Sequence, residues 1–407
     1  MIVKGPFGFD REKMYFHPAE YFDLDFFIAF IMIVGSSAYL RVTVPFFIPL
    51  LTIFCTTVAV VYLIKSLNEH KKLFYFVIIT VFYIWAYITT YLGTKSGTLY
   101  IYIAESLAAT IYVGYMIDGH APELFDAVRN SSFVILLMNF ALLLVKPGGF
   151  FGTGNTTLYF LGYRIGFTPF VLLAVVATLL YDYSVNQACS IYSLCIIAIS
   201  LATVIIKDVG TGLVSLVVVL GLTVTFTVLK RDIFSIWLVY ILYVIGFIAI
   251  VIFEVQMTFK PLSYILVDVL DKDVTFDNRT YVWRSALPEI LNKPIIGHGI
   301  DSTLVAVFGR NTRVVTQHNQ TLNIFADLGL IGFIIFAFIF IYIGIQITKL
   351  RDRRLKIIAV ATVVSVLLVF FTEIQTTKIN VFFILAFLAN VRFLEGSNEK
   401  ICVDNNT

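Results

Sequence analysis

Charge is what this chain has least of. Of its 407 residues 14% are Asp, Glu, Lys or Arg, against roughly 25% in an ordinary soluble domain, and 59% are hydrophobic. Mean hydropathy is +0.91. A soluble protein of this length could not hide so much apolar surface. The net charge is only +3, so the basic surface of a nucleic-acid binder is missing and no nucleic-acid partner is expected. Cysteine is scarce too. Cys55, Cys189, Cys195 and Cys402 form neither a CxxC metal pair nor a disulfide framework, and the first three sit in apolar runs, where small buried side chains are expected rather than functional thiols. A cleavable N-terminal signal is not evident, because residues 1–20 are polar and aromatic and the first apolar run is followed by many more.

What is abundant is apolar runs of membrane length. A span needs roughly 20 such residues, and inside lipid the backbone must satisfy its own hydrogen bonds, so these runs read as helices. Twelve are found, near 24–40, 45–64, 73–92, 99–117, 132–146, 166–181, 188–206, 211–229, 233–254, 319–347, 355–373 and 378–394. The expectation is an all-α integral membrane protein of about twelve transmembrane helices with one long extracytoplasmic loop. Helices 1–9 fall in residues 1–254, the loop in 255–318, helices 10–12 in 319–394 and a cytoplasmic tail in 395–407. Lys and Arg set the orientation. With the N-terminus inside, sixteen fall on the inner side: Lys4, Arg11, Lys13, Lys65, Lys71, Lys72, Arg129, Lys230, Arg231, Lys349, Arg351, Arg353, Arg354, Lys356, Arg392 and Lys400. The short outer loops hold six: Arg41, Lys95, Lys146, Arg164, Lys207 and Lys378. Both termini are therefore expected in the cytoplasm.

The first 145 residues say little about chemistry. Glu105 falls in the fourth run, where an acid is costly, so it either pairs inside the bundle or lies nearer an interface. Asp23 and Asp25 carry the DxD spelling of metal-dependent sugar transferases, but two acids at a helix start also make a favourable dipole contact. The loop KPGGFFGTGNTT brings four glycines before Asn155 without matching a phosphate-binding fingerprint. Arg164 closes that loop just before a span; it can snorkel to the interface or face a ligand. Lys207 and Asp208 suggest a local ion pair, and Thr211 a cap on the next helix.

The polar interval from Glu254 to Asp327 holds seven of the 29 Lys and Arg residues, and His298 and His318 of the five His. DNRTYVWRSALPEIL starts a helix with Asp277 or Asn278 as N-cap. Arg279, Trp283, Ala286, Leu287 and Ile290 share one face, while Arg284 lies roughly 140° round from Arg279. An Arg on an apolar face needs an anionic partner. Pro288 should break or kink the helix, and KPIIGHGI should turn about Gly297 and Gly299. Asp271 and Asp273 could bind a cation, but a solvated pair of loop acids is the favoured reading, so no metal site is expected. His318 opens a long apolar helix, whose N-terminus should lower its pKa and keep it neutral. A neutral imidazole there is either a general base or an interfacial His bonded to a carbonyl.

Arg164, Arg279 and His318 together would offer two guanidinium forks and a base on the outer face. Guanidinium matches phosphate oxygens bidentately and stabilises charge growing on a leaving pyrophosphate. Outside the cell no nucleotide sugar is at hand, so a lipid pyrophosphate donor suits the arrangement. Arg284, Arg310 and Arg313 could meet an anionic glycan or lipid.

At this point the chain resembles the O-antigen polymerase and O-antigen ligase superfamily of bacterial membrane glycosyltransferases. The residues that carry the resemblance are Arg279, Trp283 and Ala286, then Pro294, Gly297 and Gly299, then His318-Asn319, then Leu328-Gly329-Leu330-Ile331-Gly332, over about 60 residues. The resemblance implies a GT-C-like fold in a bacterial inner membrane and a metal-independent, inverting transfer of a polyprenyl-pyrophosphate-linked glycan, with no cofactor. By that resemblance Arg164 and Arg279 would hold the pyrophosphate and His318 would activate the acceptor hydroxyl; Asn319, and Arg284 and Arg313 that no motif marks, are expected as further substrate contacts. Partners would be lipid-linked glycans as donor and acceptor, the bilayer, and a flippase and chain-length regulator of the same pathway. Where the superfamily often has Ser-Arg between spans seven and eight, this chain has Gly210-Thr211-Gly212. The first expectation is a repeat-unit polymerase for capsule, O-antigen or exopolysaccharide. A ligase passing the finished chain to another acceptor stands second, and a flippase third. A transferase with an acidic catalyst in its first outer loop stands fourth, but no acid lies near Arg41 to Val44.

Overall fold

Lipid forces each apolar run to close its own backbone bonds, and every one of the twelve runs is helical. The structure is a computed structural model. It describes residues 23–152, 157–186, 189–264, 267–268, 273–276, 278–308, 311–375 and 377–395. In chain order the helices are α1 (Leu24–Val34), α2 (Ala38–Thr43), α3 (Phe47–Asn68), α4 (Phe74–Leu92), α5 (Leu99–Met116), α6 (Ala121–Val145), α7 (Thr168–Tyr181), α8 (Ile191–Ile206), α9 (Gly210–Val228) and α10 (Ile236–Phe247). The interval before the tenth run carries α11 (Lys260–Tyr264) and α12 (Arg279–Asn292), followed by α13 (Gln320–Thr348), α14 (Arg353–Thr372) and α15 (Ile379–Ala389). Among the described residues eight helical stretches are long and apolar enough to cross a membrane, and four shorter apolar ones accompany them.

Contacts between connections alternate from one end of the bundle to the other. At one end Lys71 donates to the Asp118 carbonyl and Glu395 accepts from the Arg351 amide. At the other end, the loop end, Ser37 donates to the Phe160 carbonyl, Thr94 meets Ile300, and Thr211 meets Thr372. The main core is a large apolar cluster, with α3 against α5, α9 against α14, and α6 between α1 and α7, and a smaller cluster lies around Trp283.

Several local expectations need correction. The helix of the fifth apolar run, α6, begins at Ala121 rather than near 132. Its polar first turns satisfy one another: Arg129 and Asn130 both bond Asp126, at 2.6 and 2.9 Å, and the Arg129 guanidinium lies 3.5 Å from the centre of the Tyr181 ring. The long loop is not wholly helix and turn, for β1 (Leu304–Phe308) pairs antiparallel with β2 (Asn311–Val315). Leu304 and Ala306 point inward and Val305 and Val307 outward, the period of a half-buried strand. Pro288 does not break α12. It sits on the exposed side, where its ring is accommodated, and costs only the bond to the Arg284 carbonyl.

Two acids find partners. Asp23 caps α1 by accepting from the Phe26 amide at 2.8 Å, the helix-start role rather than an exposed DxD pair. Buried Glu105 pairs with Arg41 of α2, so it lies towards the loop end and within the bundle at once.

Candidate active site at the loop end

The amphipathic face of α12 fixes the site's first wall. Trp283 and Ala286 are fully buried against Leu304, Ala306 and Leu322, and the Trp283 ring stands 6.0 Å from Phe371. Arg279 lies one turn earlier on this face and so is carried to the start of α13 and the connection after α14. Asn278 holds the N-cap position in a left-handed conformation without a side-chain cap bond; Asp277 lies outside the described residues.

The two glycine motifs form one device. Helix α13 is kinked at Gly329, with φ 65° and ψ −167°. The kink frees backbone groups for the segment after α12: His298 N–H donates to Ala326 O, Gly299 N–H to Asp327 O, and Leu330 N–H to Pro294 O, each at 2.8 Å. A Cβ on Gly297 would stand 2.4 Å from the Asp327 oxygen, and one on Gly329 2.3 Å from the Ile295 oxygen. Only glycine permits this approach, and both residues also have positive φ. The segment is pinned to α4 as well, since Thr94 N–H donates to His298 O at 3.0 Å and Trp85 Nε1–H to Leu328 O at 2.9 Å.

Just ahead of α13, one residue before its N-cap Asn319, stands His318. Its φ is +48°, a region few residues with a side chain occupy. Asn319 accepts from Leu322 N–H at 3.0 Å and donates to Phe371 O at 2.8 Å. Both amide atoms of fully buried Asn319 make bonds within the fold, and its oxygen caps α13. The His318 imidazole is half-buried, and among the described residues neither nitrogen has a hydrogen-bond partner. Burial, and then the charge of Arg279, hold its pKa below the usual histidine value. The direction is the expected one; the causes are desolvation and a neighbouring guanidinium rather than the helix end.

Glu373, in the connection between α14 and α15, was not anticipated. It is 3% exposed. Its Oε2 accepts from Gln375 Nε2 at 2.7 Å, and Gln375 N–H donates to Gln320 Oε1 at 2.6 Å, tying the connection to α13. Burial pushes the carboxyl up to about 7, opposed first by the charge of Arg279 and then by Thr211, Gln375 and Lys378. Lys378 is depressed by burial and by Arg41, with Glu105 and Glu373 acting the other way. Arg279 therefore stands within electrostatic reach of His318 and Glu373. No motif could have marked Glu373; its one signal was an acid closing an apolar run at the same end as the long loop.

The other cations are placed differently. Arg164 Nη2 donates to the Asp208 carbonyl at 2.7 Å and its carboxylate at 3.0 Å. Three residues beyond Asp208, the Thr211 hydroxyl lies 3.3 Å from Thr372, beside Glu373, so Arg164 is joined to the site through the start of α9. The expected Lys207–Asp208 pair is absent among the described residues: Lys207 donates to Pro147 O at 2.6 Å and lies over the Tyr159 ring. Thr211 does not cap α9; Val209 holds that position. Both nitrogens of Arg284 that bond do so to the Glu254 carboxylate, Nε at 2.9 Å. Arg313 is exposed on β2 across from Ala306. Asp273 accepts from Thr275 N–H at 2.6 Å as a loop turn. Asp271, Asn155, Arg310 and Cys402 lie outside the described residues.

Comparison with known proteins bears on this region. Residues 195–337 match the family model described as O-antigen ligase, a stretch running from α8 into α13 that contains α12, the hairpin, His318 and the Gly329 kink. No curated protein matches the chain. The matched region holds Arg279, His318 and the paired glycine motifs, and this match supports the O-antigen ligase and polymerase superfamily, whose members are glycosyltransferase-like enzymes.

Proposed function

We propose that the chain is a polysaccharide repeat-unit polymerase. It moves a growing glycan from polyprenyl pyrophosphate onto a lipid-linked repeat unit at the outer face of a bacterial inner membrane. The observation that carries this reading is the meeting of a half-buried imidazole, held neutral, with the Arg279 guanidinium at one end of a membrane bundle.

In this reading residues 255–318 and the start of α13 make up the catalytic loop, and both chain ends lie in the cytoplasm. An imidazole nitrogen of His318 takes the proton of the acceptor hydroxyl. The hydroxyl oxygen bonds to the anomeric carbon as the bond to pyrophosphate breaks, a single displacement that inverts the centre. Arg279 meets the charge growing on the leaving oxygen, with Arg164 a second cation on the same side once it exchanges Asp208 for phosphate. Glu373 holds Arg279 in place, and exposed Arg313 is left for the glycan. The arrangement supplies charge stabilisation from side chains and needs no bound cofactor.

The second reading is a ligase, since the family match carries that description. The lipid-linked glycan profile of cells carrying His318→Ala separates the two. Single repeat units accumulating on the carrier while long chains vanish support polymerisation. Long chains that persist on the carrier without reaching a final acceptor mean ligation. Repeat units held on the inner face would mean a flippase and remove the transferase reading.

A further inference from the structure

Four polar side chains form a buried chain beside His318 that the reaction above does not use. Asp327, in the second turn of α13, is buried without an ion pair to any described residue, and neutral donors alone satisfy it. Its Oδ2 accepts from Asn323 Nδ2 at 2.6 Å. Its Oδ1 accepts from the Ser302 backbone amide at 3.3 Å and from the Ser302 hydroxyl. With that hydroxyl proton directed at Asp327, the Ser302 oxygen is left to accept from Gln317 Nε2, at 3.4 Å. All four side chains are buried, and the chain ends on the residue immediately before His318. Ser302 is itself held from outside the loop, because the neighbouring Asp301 accepts from Ser96 at 2.6 Å and from Thr98.

The geometry of His318 gives this chain its purpose. A left-handed backbone at a residue with a side chain persists only where its surroundings over-determine it. On the far side Asn319 is locked by Leu322 and Phe371. On the near side Gln317 is the peptide's anchor, and the sole hydrogen bond of its side chain among the described residues is the one to Ser302. Take that bond away and the Gln317–His318 peptide can relax towards the extended region, swinging the imidazole off its bearing.

We propose that Asp327, Ser302 and Gln317 are positioning residues that hold the His318 backbone in its left-handed conformation and so aim the imidazole. The proposal rests on the reading of His318 as the base, and it adds that the buried acid of the Leu328-Gly329-Leu330 motif acts on the reaction through Ser302.

The test uses the full chain, purified and reconstituted in lipid, with a polyprenyl-pyrophosphate-linked repeat unit as both donor and acceptor. Ser302→Ala and Gln317→Leu should each lower kcat per folded molecule by about tenfold or more while KM for the lipid-linked substrate stays within about twofold. Ser302→Thr keeps the hydroxyl and should retain activity. Asp327→Leu removes the acceptors of Asn323 and Ser302 and should lower kcat as Ser302→Ala does. A purely structural chain predicts lower yield or thermal midpoint with kcat per folded molecule unchanged, and that result would overturn the proposal. If Ser302→Ala fails to insert, Gln317→Leu decides alone. Transfer by His318→Ala would instead defeat the base assignment itself, an outcome distinct from an inactive His318→Ala beside a fully active Ser302→Ala.

Discussion

Arg279 and Arg284 stand five residues apart on one helix and have opposite fates. The side chain of Arg284 is 60% exposed and its fork is closed on Glu254. Arg279 is half-buried, with His318 and Glu373 in electrostatic reach. The helical period separates them: the turn that buries Trp283 also carries Arg279 inward and leaves Arg284 outside. A surface ion pair in high dielectric contributes little, whereas a guanidinium in a desolvated setting acts on whatever charge develops there. Position on the helix, more than residue type, decides which arginine can serve chemistry.

The comparison can be broken or sharpened by substitution. The largest effect is expected at the group Arg279 faces. His318→Ala should lower transfer by about 100-fold or more in reconstituted protein, with normal membrane insertion. Wild-type activity should also persist below pH 6.5 before it declines, because the imidazole titrates below its usual value. A rate that halves above pH 6.5 on the acid side would contradict the environment described for it. Next comes Arg279→Lys, which keeps charge and loses the fork; kcat should fall by about tenfold or more. Equal losses in Arg279→Lys and Arg284→Lys would erase the contrast between the two arginines.

Smaller changes fall on the scaffold. Gly329→Ala meets the Ile295 carbonyl and a positive φ together, so about 1–3 kcal/mol of stability should be lost, read as reduced folded protein in detergent. Glu373→Gln tests the acid behind Arg279. A carboxyl raised from 4.5 to about 7 favours the folded state while protonated; that contribution is full below about 4.5 and is lost as the pH rises through about 7. The variant should therefore flatten the thermal midpoint between about pH 5 and 8 and exceed wild type at the alkaline end. A midpoint that falls as steeply as in wild type would show that Glu373 is not the titrating group. The smallest effect is expected for Arg284→Ala, under about 1 kcal/mol in stability and with transfer within about twofold.

Much of the fold was legible because its signals are local. Each apolar run is a helix, since lipid leaves a backbone no other partner, and the buried face of α12 follows from the spacing of Trp283, Ala286 and Ile290. The glycines of the 294–299 segment and of the Leu328–Gly332 stretch were visible as punctuation, although their mutual contact was not. Misreadings cluster where two distant segments meet. Asp208 joins Arg164 instead of its neighbour Lys207, and the hairpin arises inside an interval that carried no clear strand pattern.

The sequence by itself determined the membrane-embedded helical class, the polar interval that interrupts it, and the presence there of an arginine on a buried helix face and a histidine at a helix start. Periodicity and hydropathy are properties of single segments, and these features need nothing more. Which charges meet was decided only by the tertiary structure. Glu373 comes within electrostatic reach of Arg279, and Asp327 is linked through Ser302 to Gln317, because helix packing brings together residues from separate segments. Coulomb and hydrogen-bond energies depend on distances that no local pattern of residues encodes.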